Sequence, residues 1–185
     1  MFPFPSLRRI LTDVALFFIT TRAHLGPAGK YLSDAGNHAV LHAGSSSCSN
    51  CEGGRYSGAG AHNCTSCSVG TYSGGASSSC SKCEAGKAQA YTGQSECTAC
   101  LRGQYMGTEG AASCLDCVNG TYVADFGATA CFDCKAGRFS ASRGAHVCAD
   151  CPVATYASYK GSIGCTACAP PATNRIAGSS NCSGE

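Results

Sequence analysis

The stretch Cys117–Cys134, CVNGTYVADFGATACFDC, decides the fold of this chain. It begins on the second cysteine of one CxxC pair and ends on the second cysteine of the next. Gly120 stands three residues after its start, Tyr122 five residues after its start, and Gly127 four residues before the next pair. Paired CxxC motifs occur in zinc sites, in thiol redox proteins and in disulfide frameworks, so the pattern leaves three chemistries to separate.

The pattern repeats with a nearly constant period, which indicates a tandem-repeat architecture. The intervals between CxxC pairs are 16, 16 and then 17 residues throughout. The pairs begin at Cys48, Cys64, Cys80, Cys97, Cys114, Cys131, Cys148 and Cys165, and Cys182 opens a ninth unit that stops at Glu185. The chain therefore divides into residues 1–47, without cysteine, and the repeat region 48–185.

Three positions recur within the eight complete units. The early position, three residues after each pair, is glycine in six units: Gly54, Gly70, Gly86, Gly103, Gly120 and Gly137. An aromatic follows two residues later in six units: Tyr56, Tyr72, Tyr105, Tyr122, Phe139 and Tyr156. The late position, four residues before the next cysteine, is glycine in seven units: Gly60, Gly93, Gly110, Gly127, Gly144, Gly161 and Gly178. The glycine exceptions are Ala154 and Pro171 at the early position and Ala76 at the late position.

The composition leaves little for an apolar core. The chain has 185 residues and 17 cysteines, yet residues 48–185 contain only 12 Leu, Ile, Val and Phe. One aromatic per unit stabilises by about 2–3 kcal/mol, whereas ordering each residue costs about 1–2 kcal/mol. The cysteines must therefore hold the fold. A net charge of +2 without a basic stripe argues against nucleic acid as a partner, and a cysteine-dense, weakly charged chain is typical of an oxidising compartment.

Disulfides fit the repeat better than zinc or redox chemistry. Consecutive pairs are separated by 12 or 13 residues, so two pairs could supply the four thiolates of a zinc site. Zinc modules rarely repeat with one fixed period, however, and the units lack the Lys and Arg of intracellular zinc modules. A thioredoxin-like site needs one CxxC at a helix N-terminus, and these units show no helical pattern. We therefore predict structural disulfides and keep an intracellular zinc-binding array as an alternative.

The repeat also restricts the pairing, although spacing alone does not determine connectivity. We favour joining the second cysteine of each pair to the first cysteine of the next, which closes loops worth roughly 3 kcal/mol each. The pairs are Cys51–Cys64, Cys67–Cys80, Cys83–Cys97, Cys100–Cys114, Cys117–Cys131, Cys134–Cys148, Cys151–Cys165 and Cys168–Cys182. Bonds within each CxxC would close loops too small to order the intervening residues, and a ladder between units would break the repeat symmetry.

The favoured pairing leaves Cys48 unpaired. We expect one of two explanations: the chain is a fragment of a longer array, or Cys48 forms an intermolecular bond. Each unit is long enough for two short strands and a turn, with the late glycine in the turn, the early glycine in a sharp bend and the aromatic over the disulfide. The predicted fold is small, disulfide-rich and mostly β or irregular: an elongated tandem array of about eight hairpin-like modules, each contacting mainly its neighbours.

The segment before the repeats predicts export. Residues 1–23 read as a signal peptide, with two arginines, an apolar stretch and a small-x-small site that would be cleaved after Ala23. An amphipathic N-terminal helix and a mistaken start of the reading frame are the alternatives. Residues 24–47 are interpreted as a linker, and His38 and His42 within it as a solvated pair rather than a metal site.

The pattern CxxCxxGxYxxxxGxxxCxxC resembles the cysteine-rich repeat called tyrosine-kinase ephrin type-A/B receptor-like, over residues 48–185. It is also similar to the smaller module of tumour-necrosis-factor-receptor cysteine-rich domains. The resemblance implies that the cysteine before G-x-Y pairs with the cysteine opening the next CxxC, with the aromatic packed beside that disulfide. It implies ectodomain architecture and does not carry receptor signalling to this chain.

The sequence predicts a non-enzymatic, secreted or cell-surface protein that acts as a stalk, spacer or protein-binding ectodomain within a larger protein. A ligand-binding, receptor-like array is an alternative. We expect no catalytic, cofactor-binding or metal-binding residues and no cofactor. The expected partner is an unknown protein or glycan, with no nucleic acid, and with membrane attachment only through a domain outside this chain. Asn119, in Asn-Gly-Thr, is the candidate glycosylation site, because the sequons at Asn63 and Asn181 have a cysteine in the middle.

Overall fold

The computed structural model describes residue 28, residues 30–32, residues 48–59 and residues 61–182. The predicted signal peptide, the alternative N-terminal helix and the His38 and His42 pair lie outside these described residues.

The described residues form sixteen short strands in eight two-stranded antiparallel sheets, each pairing consecutive strands. The strands are β1 Lys30–Leu32, β2 Cys48–Asn50, β3 Arg55–Tyr56, β4 Thr65–Ser66, β5 Thr71–Tyr72, β6 Ser81–Lys82, β7 Lys87–Ala88, β8 Thr98–Ala99, β9 Gln104–Tyr105, β10 Leu115–Asp116, β11 Thr121–Tyr122, β12 Phe132–Asp133, β13 Arg138–Phe139, β14 Ala149–Asp150, β15 Thr155–Tyr156 and β16 Thr166–Ala167. The predicted array of small β hairpins is confirmed.

Eight disulfides close the modules. They are Cys51–Cys64, Cys67–Cys80, Cys83–Cys97, Cys100–Cys114, Cys117–Cys131, Cys134–Cys148, Cys151–Cys165 and Cys168–Cys182, with Cα–Cα distances of 5.6–5.7 Å. These are the pairs that we favoured from the sequence. We number the closed stretches modules 1 to 8 in this order. Each CxxC is therefore a joint, because its two cysteines belong to successive modules.

Module 5 shows how the sequence forms a hairpin. Gly120 adopts a φ of 82°, which glycine tolerates and other residues rarely do. The Thr121 N–H donates to the Val118 carbonyl at 3.0 Å, which closes the turn before β11. The Gly120 carbonyl then accepts the Cys134 N–H at 2.9 Å. Strand β11 pairs with β12 so that Tyr122 faces Phe132 across the hairpin.

The core is a column of sulfur atoms and small side chains. In modules 1 to 7 the second cysteine of each CxxC is 1% exposed or less. The residue after the aromatic position is also buried in every module: Ser57, Ser73, Gln89, Met106, Val123, Ser140, Ala157 and Asn174. The aromatics themselves are only half-buried. We expected the aromatic to lie over the disulfide and did not predict that the next residue is buried, because its chemical type varies from module to module.

Successive modules are joined by the same three backbone hydrogen bonds at all seven junctions. At the junction of modules 4 and 5, the Gly103 N–H donates to the Val123 carbonyl at 2.9 Å and the Met106 N–H to the Ala128 carbonyl at 3.0 Å. In the reverse direction, the Gly127 N–H donates to the Cys100 carbonyl at 2.8 Å. The stack therefore satisfies backbone groups that its short hairpins leave unpaired.

Modules also contact their second neighbours, which differs from the expectation of mainly nearest-neighbour contact. A Cβ added to Gly103 in module 4 would lie under 3.0 Å from the carbonyl of Gly144 in module 6. The same approach recurs for every early glycine, in the pairs Gly54–Gly93, Gly70–Gly110, Gly86–Gly127, Gly103–Gly144, Gly120–Gly161 and Gly137–Gly178. The early position is glycine because a backbone carbonyl two modules away occupies the space of a side chain.

The late position has a weaker requirement. A Cβ on Gly144 would meet the Asp116 side chain at 3.7 Å, an ordinary contact distance. Its φ of 70° is the remaining constraint. Ala76, which stands at the late position of module 2, adopts a φ of 57°. Glycine is thus preferred at the late position for its backbone conformation alone, whereas the early position also needs the missing side chain.

The segment interpreted as a linker contains a strand. Strand β1 pairs with β2, with Tyr31 opposite Ser49 and Lys30 opposite Asn50. Part of residues 24–47 therefore pairs with the start of the repeat region, which the sequence analysis did not predict.

Candidate functional surface

The CxxC motifs offer no chemistry of their own in this structure. Sixteen cysteines are joined in disulfides, so these thiolates are not available as zinc ligands or as redox nucleophiles. Within residues 48–59 and 61–182, no three His, Cys, Asp or Glu side chains come together as a metal site would require. The structure therefore does not support the alternative of a zinc-binding CxxC array.

Two depressions on the surface of the described residues are candidate sites. A shallow depression of about 460 Å³ is lined by one continuous surface segment, Tyr159 to Thr166. A groove of about 150 Å³ lies between Tyr72 of module 2 and the charged side chains of Glu84, Lys87 and Glu96 in module 3. Lys87 and Glu84 pair with each other at 3.2 Å, which neutralises part of this groove. Neither place gathers the convergent polar groups of an enzyme site.

Modules 4 and 5 carry four exposed apolar side chains at two equivalent positions, which we call the apolar patch: Leu101, Leu115, Val118 and Phe132. These side chains are between 51% and 62% exposed. Leu101 and Val118 follow the second cysteine of their modules, and Leu115 and Phe132 begin the second strands of the same two hairpins. At the second-strand position, modules 1, 2, 3 and 7 carry Thr or Ser, and module 6 carries Ala149. The apolar patch is therefore particular to modules 4 and 5 and is not part of the repeat.

Modules 4 and 5 also contain two ring contacts. Tyr122 and Phe132 lie with ring centroids 6.5 Å apart and planes tilted by 55°, a favourable geometry for aromatic pairs. The Arg102 guanidinium of module 4 lies 5.1 Å from the ring centroid of Phe126 in module 5. The two modules that carry the apolar patch are thus joined by a side-chain contact as well as by the backbone.

Ion pairs lie on the surface and link strands or modules. The Arg138 Nε and the Asp150 carboxylate pair at 2.5 Å across one hairpin. Lys160 lies 4.0 Å from the Asp133 carboxylate. Because these side chains are about half exposed or more, each pair stabilises by about 0–1 kcal/mol. These pairs bring opposite charges together on the surface of the described residues.

Asn119, the candidate glycosylation residue, lies exposed in the turn before β11. The hydroxyl of Thr121, the third residue of the sequon, donates to the Val118 carbonyl at 2.7 Å. The asparagine is accessible from solvent, and its glycosylation stays a prediction.

Nowhere in the described part of the chain does a helix reach the length and apolarity that crossing a membrane requires.

Comparison with known families agrees with the repeat geometry. The family model described as tyrosine-protein kinase ephrin type A/B receptor-like matches three overlapping windows, residues 70–113, 86–134 and 103–146. The first and third windows each span parts of three modules, and the second runs from module 3 to Cys134, the first residue of module 6. No curated protein is significantly similar to the chain. The three windows together cover residues 70–146, so this part of the array is similar to the ephrin type-A/B receptor-like repeat.

Proposed function

We propose that this protein is a non-enzymatic extracellular or cell-surface array whose primary role is that of a spacer. The observation that carries the proposal is the uniform junction. All seven junctions use the same three backbone hydrogen bonds, and the early glycine of modules 1 to 6 contacts a carbonyl two modules further on. Such a joint resists bending, because a bend there would break the contact of a module with its next neighbour and also the contact with its second neighbour.

The extracellular location is supported by the chemistry of the fold. Eight disulfides hold modules that bury few apolar side chains, so the folded state depends on oxidised cysteines. Disulfides of this kind persist in secreted and cell-surface proteins and are rare in the cytosol. The family match supports the same location, because the repeat takes its name from receptor ectodomains.

A one-module deletion tests the spacer role. Removing residues 118–134 joins Cys117 to Lys135 and takes out one 17-residue period while keeping the CxxC joint. Small-angle scattering should show a maximum dimension reduced by one repeat increment. Removing residues 84–100, which joins Cys83 to Leu101, should give the same reduction because the junctions are equivalent. An unchanged dimension, or different reductions for the two deletions, would contradict a uniform spacer.

The apolar patch favours protein binding as a second function. Four exposed apolar side chains at equivalent positions of two adjoining modules give a surface that protein partners commonly use. Two of its side chains can be replaced by residues that the repeat already carries at this position. Leu115→Thr introduces the residue of module 3, and Phe132→Ala introduces the residue of module 6.

Capture from extracellular material tests this second function. A protein partner of the apolar patch should bind the wild-type array and lose most of its binding to L115T/F132A. The matched control is T98A/T166A, which changes the same exposed position in modules 3 and 7. Equal capture by all three proteins would rule out the apolar patch as the binding surface and leave the spacer proposal standing.

A further inference from the structure

The early position changes character at the C-terminal end of the array. In modules 1 to 6 it is glycine and is buried. In modules 7 and 8 it is Ala154 and Pro171, and both are exposed. These are the two modules whose second neighbours would follow module 8.

Ala154 places a methyl group where a carbonyl lies in the other modules. One module earlier, a Cβ on Gly137 would lie under 3.0 Å from the carbonyl of Gly178, two modules further on. Ala154 adopts a φ of 61°, close to the early glycines, so its Cβ points into the corresponding space. A ninth module stacked in the same geometry would bring its late carbonyl against this methyl group.

Pro171 removes a hydrogen bond that each earlier junction uses. In modules 1 to 7 the N–H of the early residue donates to a carbonyl of the next module, as Gly137 donates to Ala157 at 2.8 Å. Proline has no N–H. A ninth module would therefore lose one of its three backbone hydrogen bonds to module 8, in addition to its collision with Ala154.

The Asn174 side chain adds hydrogen bonds to the junction of modules 7 and 8. Its side chain is buried and lies against module 7, where its Oδ1 accepts the Ala154 N–H at 2.8 Å. Its Nδ2 donates to the Thr155 carbonyl at 2.8 Å and to the Asn181 carbonyl at 3.4 Å. The polar groups of the last junction are thus satisfied by module 8 itself.

We propose that Ala154 and Pro171 form a C-terminal cap that ends the stack at module 8. Repeat arrays need terminal units that differ from the interior units, because an interior face left open exposes groups made for another repeat. Any chain that follows is joined to module 8 by a different geometry, so the stiff array ends here even when more CxxC units follow. The cap rests on the junction geometry and is independent of the spacer and binding proposals.

An extended chain tests the cap. Replacing residues 183–185 with a copy of residues 115–148 adds two modules of the regular pattern after Cys182. In a stacked module 9, the copy of Gly127 would donate its N–H to the Cys168 carbonyl, as Gly127 does to Cys100. We expect this amide to exchange freely with solvent in the extended wild type and at least about tenfold more slowly in the extended A154G/P171G variant.

The added modules provide their own control. The copy of Gly144 would bond to the copy of Cys117 within the extension, so its slow exchange in both proteins shows that the extension folds. Equal exchange of the Gly127 copy in the two proteins, whether fast or slow, overturns the cap.

The reverse transfer uses the native chain and does not depend on the extension. G103A reproduces Ala154 in module 4, and Gly120 is left unchanged because its φ of 82° is closed to proline. We expect the Gly144 amide, which bonds to Cys117 at 2.8 Å, to lose its protection, while the Gly110 amide, which bonds to Cys83 at 2.8 Å, keeps it. Retained protection at Gly144 would contradict the proposal.

A second inference comes from the register of β1 and β2. Leu32, Tyr31 and Lys30 face Cys48, Ser49 and Asn50. In module 1, Tyr56 and Arg55 face Thr65 and Ser66, the residues one and two places after Cys64. Tyr31 therefore has the register of the aromatic position, measured from Cys48.

The sequence around Tyr31 contains the rest of a module. Gly29 stands two residues before the tyrosine, as the early glycine does, and Gly44 stands four residues before Cys48, as the late glycine does. The second cysteine of a preceding CxxC would stand at position 26, which is glycine. We infer that β1 and β2 form a further hairpin with the register of a module, and that Gly26 stands at the sequence position of the missing disulfide partner of Cys48.

Restoring the cysteine tests this inference. The Gly26→Cys variant should form a disulfide between the introduced thiol and Cys48, which non-reducing peptide mapping detects in most molecules. The matched control, Pro27→Cys, moves the thiol by one residue and should leave Cys48 unlinked to it in most molecules. Absence of the bond in G26C, or an equal yield in P27C, would contradict the inference.

Discussion

The early position differs between the interior modules and the last two modules. In the interior it has no room for a side chain, whereas in modules 7 and 8 it carries one. Gly137 in module 6 is covered by the carbonyl of Gly178, whereas Ala154 in module 7 adopts nearly the same backbone conformation and is exposed. The difference is caused by what lies two modules further on. The residue that a repeat position can carry thus depends on what lies two modules further on as well as on its own module.

Removing a disulfide should have the largest effect, and a larger one in the interior. C117S/C131S opens module 5, which has neighbours on both sides, and should lower the free energy of unfolding by about 4 kcal/mol. C168S/C182S opens a loop of the same length at the end and should cost about 3 kcal/mol, since fewer modules depend on it. Denaturation under non-reducing conditions measures both. A larger loss for the terminal variant would reverse the comparison.

Exchanging glycine and alanine at the early position should give the clearest difference in stability between module 6 and module 7. Gly137→Ala forces a methyl group against the Gly178 carbonyl and strains the positive φ, and should cost about 3 kcal/mol. Ala154→Gly relieves strain and raises the entropy of the unfolded chain, so its stability should stay within about 1 kcal/mol of the wild type. Thermal and chemical unfolding of the two variants checks this. Equal losses of stability in the two variants would show that the second-neighbour contact does not contribute to the free energy of unfolding.

The buried residue after the aromatic should have an intermediate effect. Val123→Ser removes a fully buried apolar side chain from module 5 and should cost about 2 kcal/mol. Ala157→Ser, at the same position in module 7, exchanges side chains of similar size and should cost less than about 1 kcal/mol. Serine occupies this position in modules 1, 2 and 6, so both variants should fold. If V123S were as stable as the wild type, burial of the side chain at this position would not stabilise the fold.

The late glycine should show the smallest effect. Gly144→Ala adds a methyl group at ordinary contact distance from Asp116, so the cost is that of positive φ alone, about 1 kcal/mol. The comparison with Gly137→Ala isolates the steric part of the early requirement, because both glycines have a positive φ. If the two variants lose equal stability, φ alone explains both glycines.

Most of the fold could be predicted from the sequence because the repeat presents the same evidence eight times. The fixed period indicated the array, and the pairing that uses each unit alike gives the disulfide set of the structure. Gly103 shows what could not be predicted. Its sequence context indicates a bend, but the carbonyl of Gly144 that fills its side-chain space comes from a module 41 residues away.

Other features were missed because their signals were weak in a single unit. Val123 and its equivalents share burial but range from serine to methionine, so no residue type marked the position. Strand β1 was missed because position 26 lacks the cysteine by which the other modules were recognised. The apolar patch could have been noticed from the Leu and Phe at positions 115 and 132, where other units have small or polar residues.

Disulfide mapping of the native protein tests the central claim, that each CxxC is a joint between disulfide-closed modules. Non-reducing proteolysis followed by mass spectrometry should give eight cross-linked peptides, among them one that joins Cys117 to Cys131, together with no bound zinc. A peptide in which Cys114 is linked to Cys117, or a native protein with sixteen free thiols and bound zinc, would contradict the account.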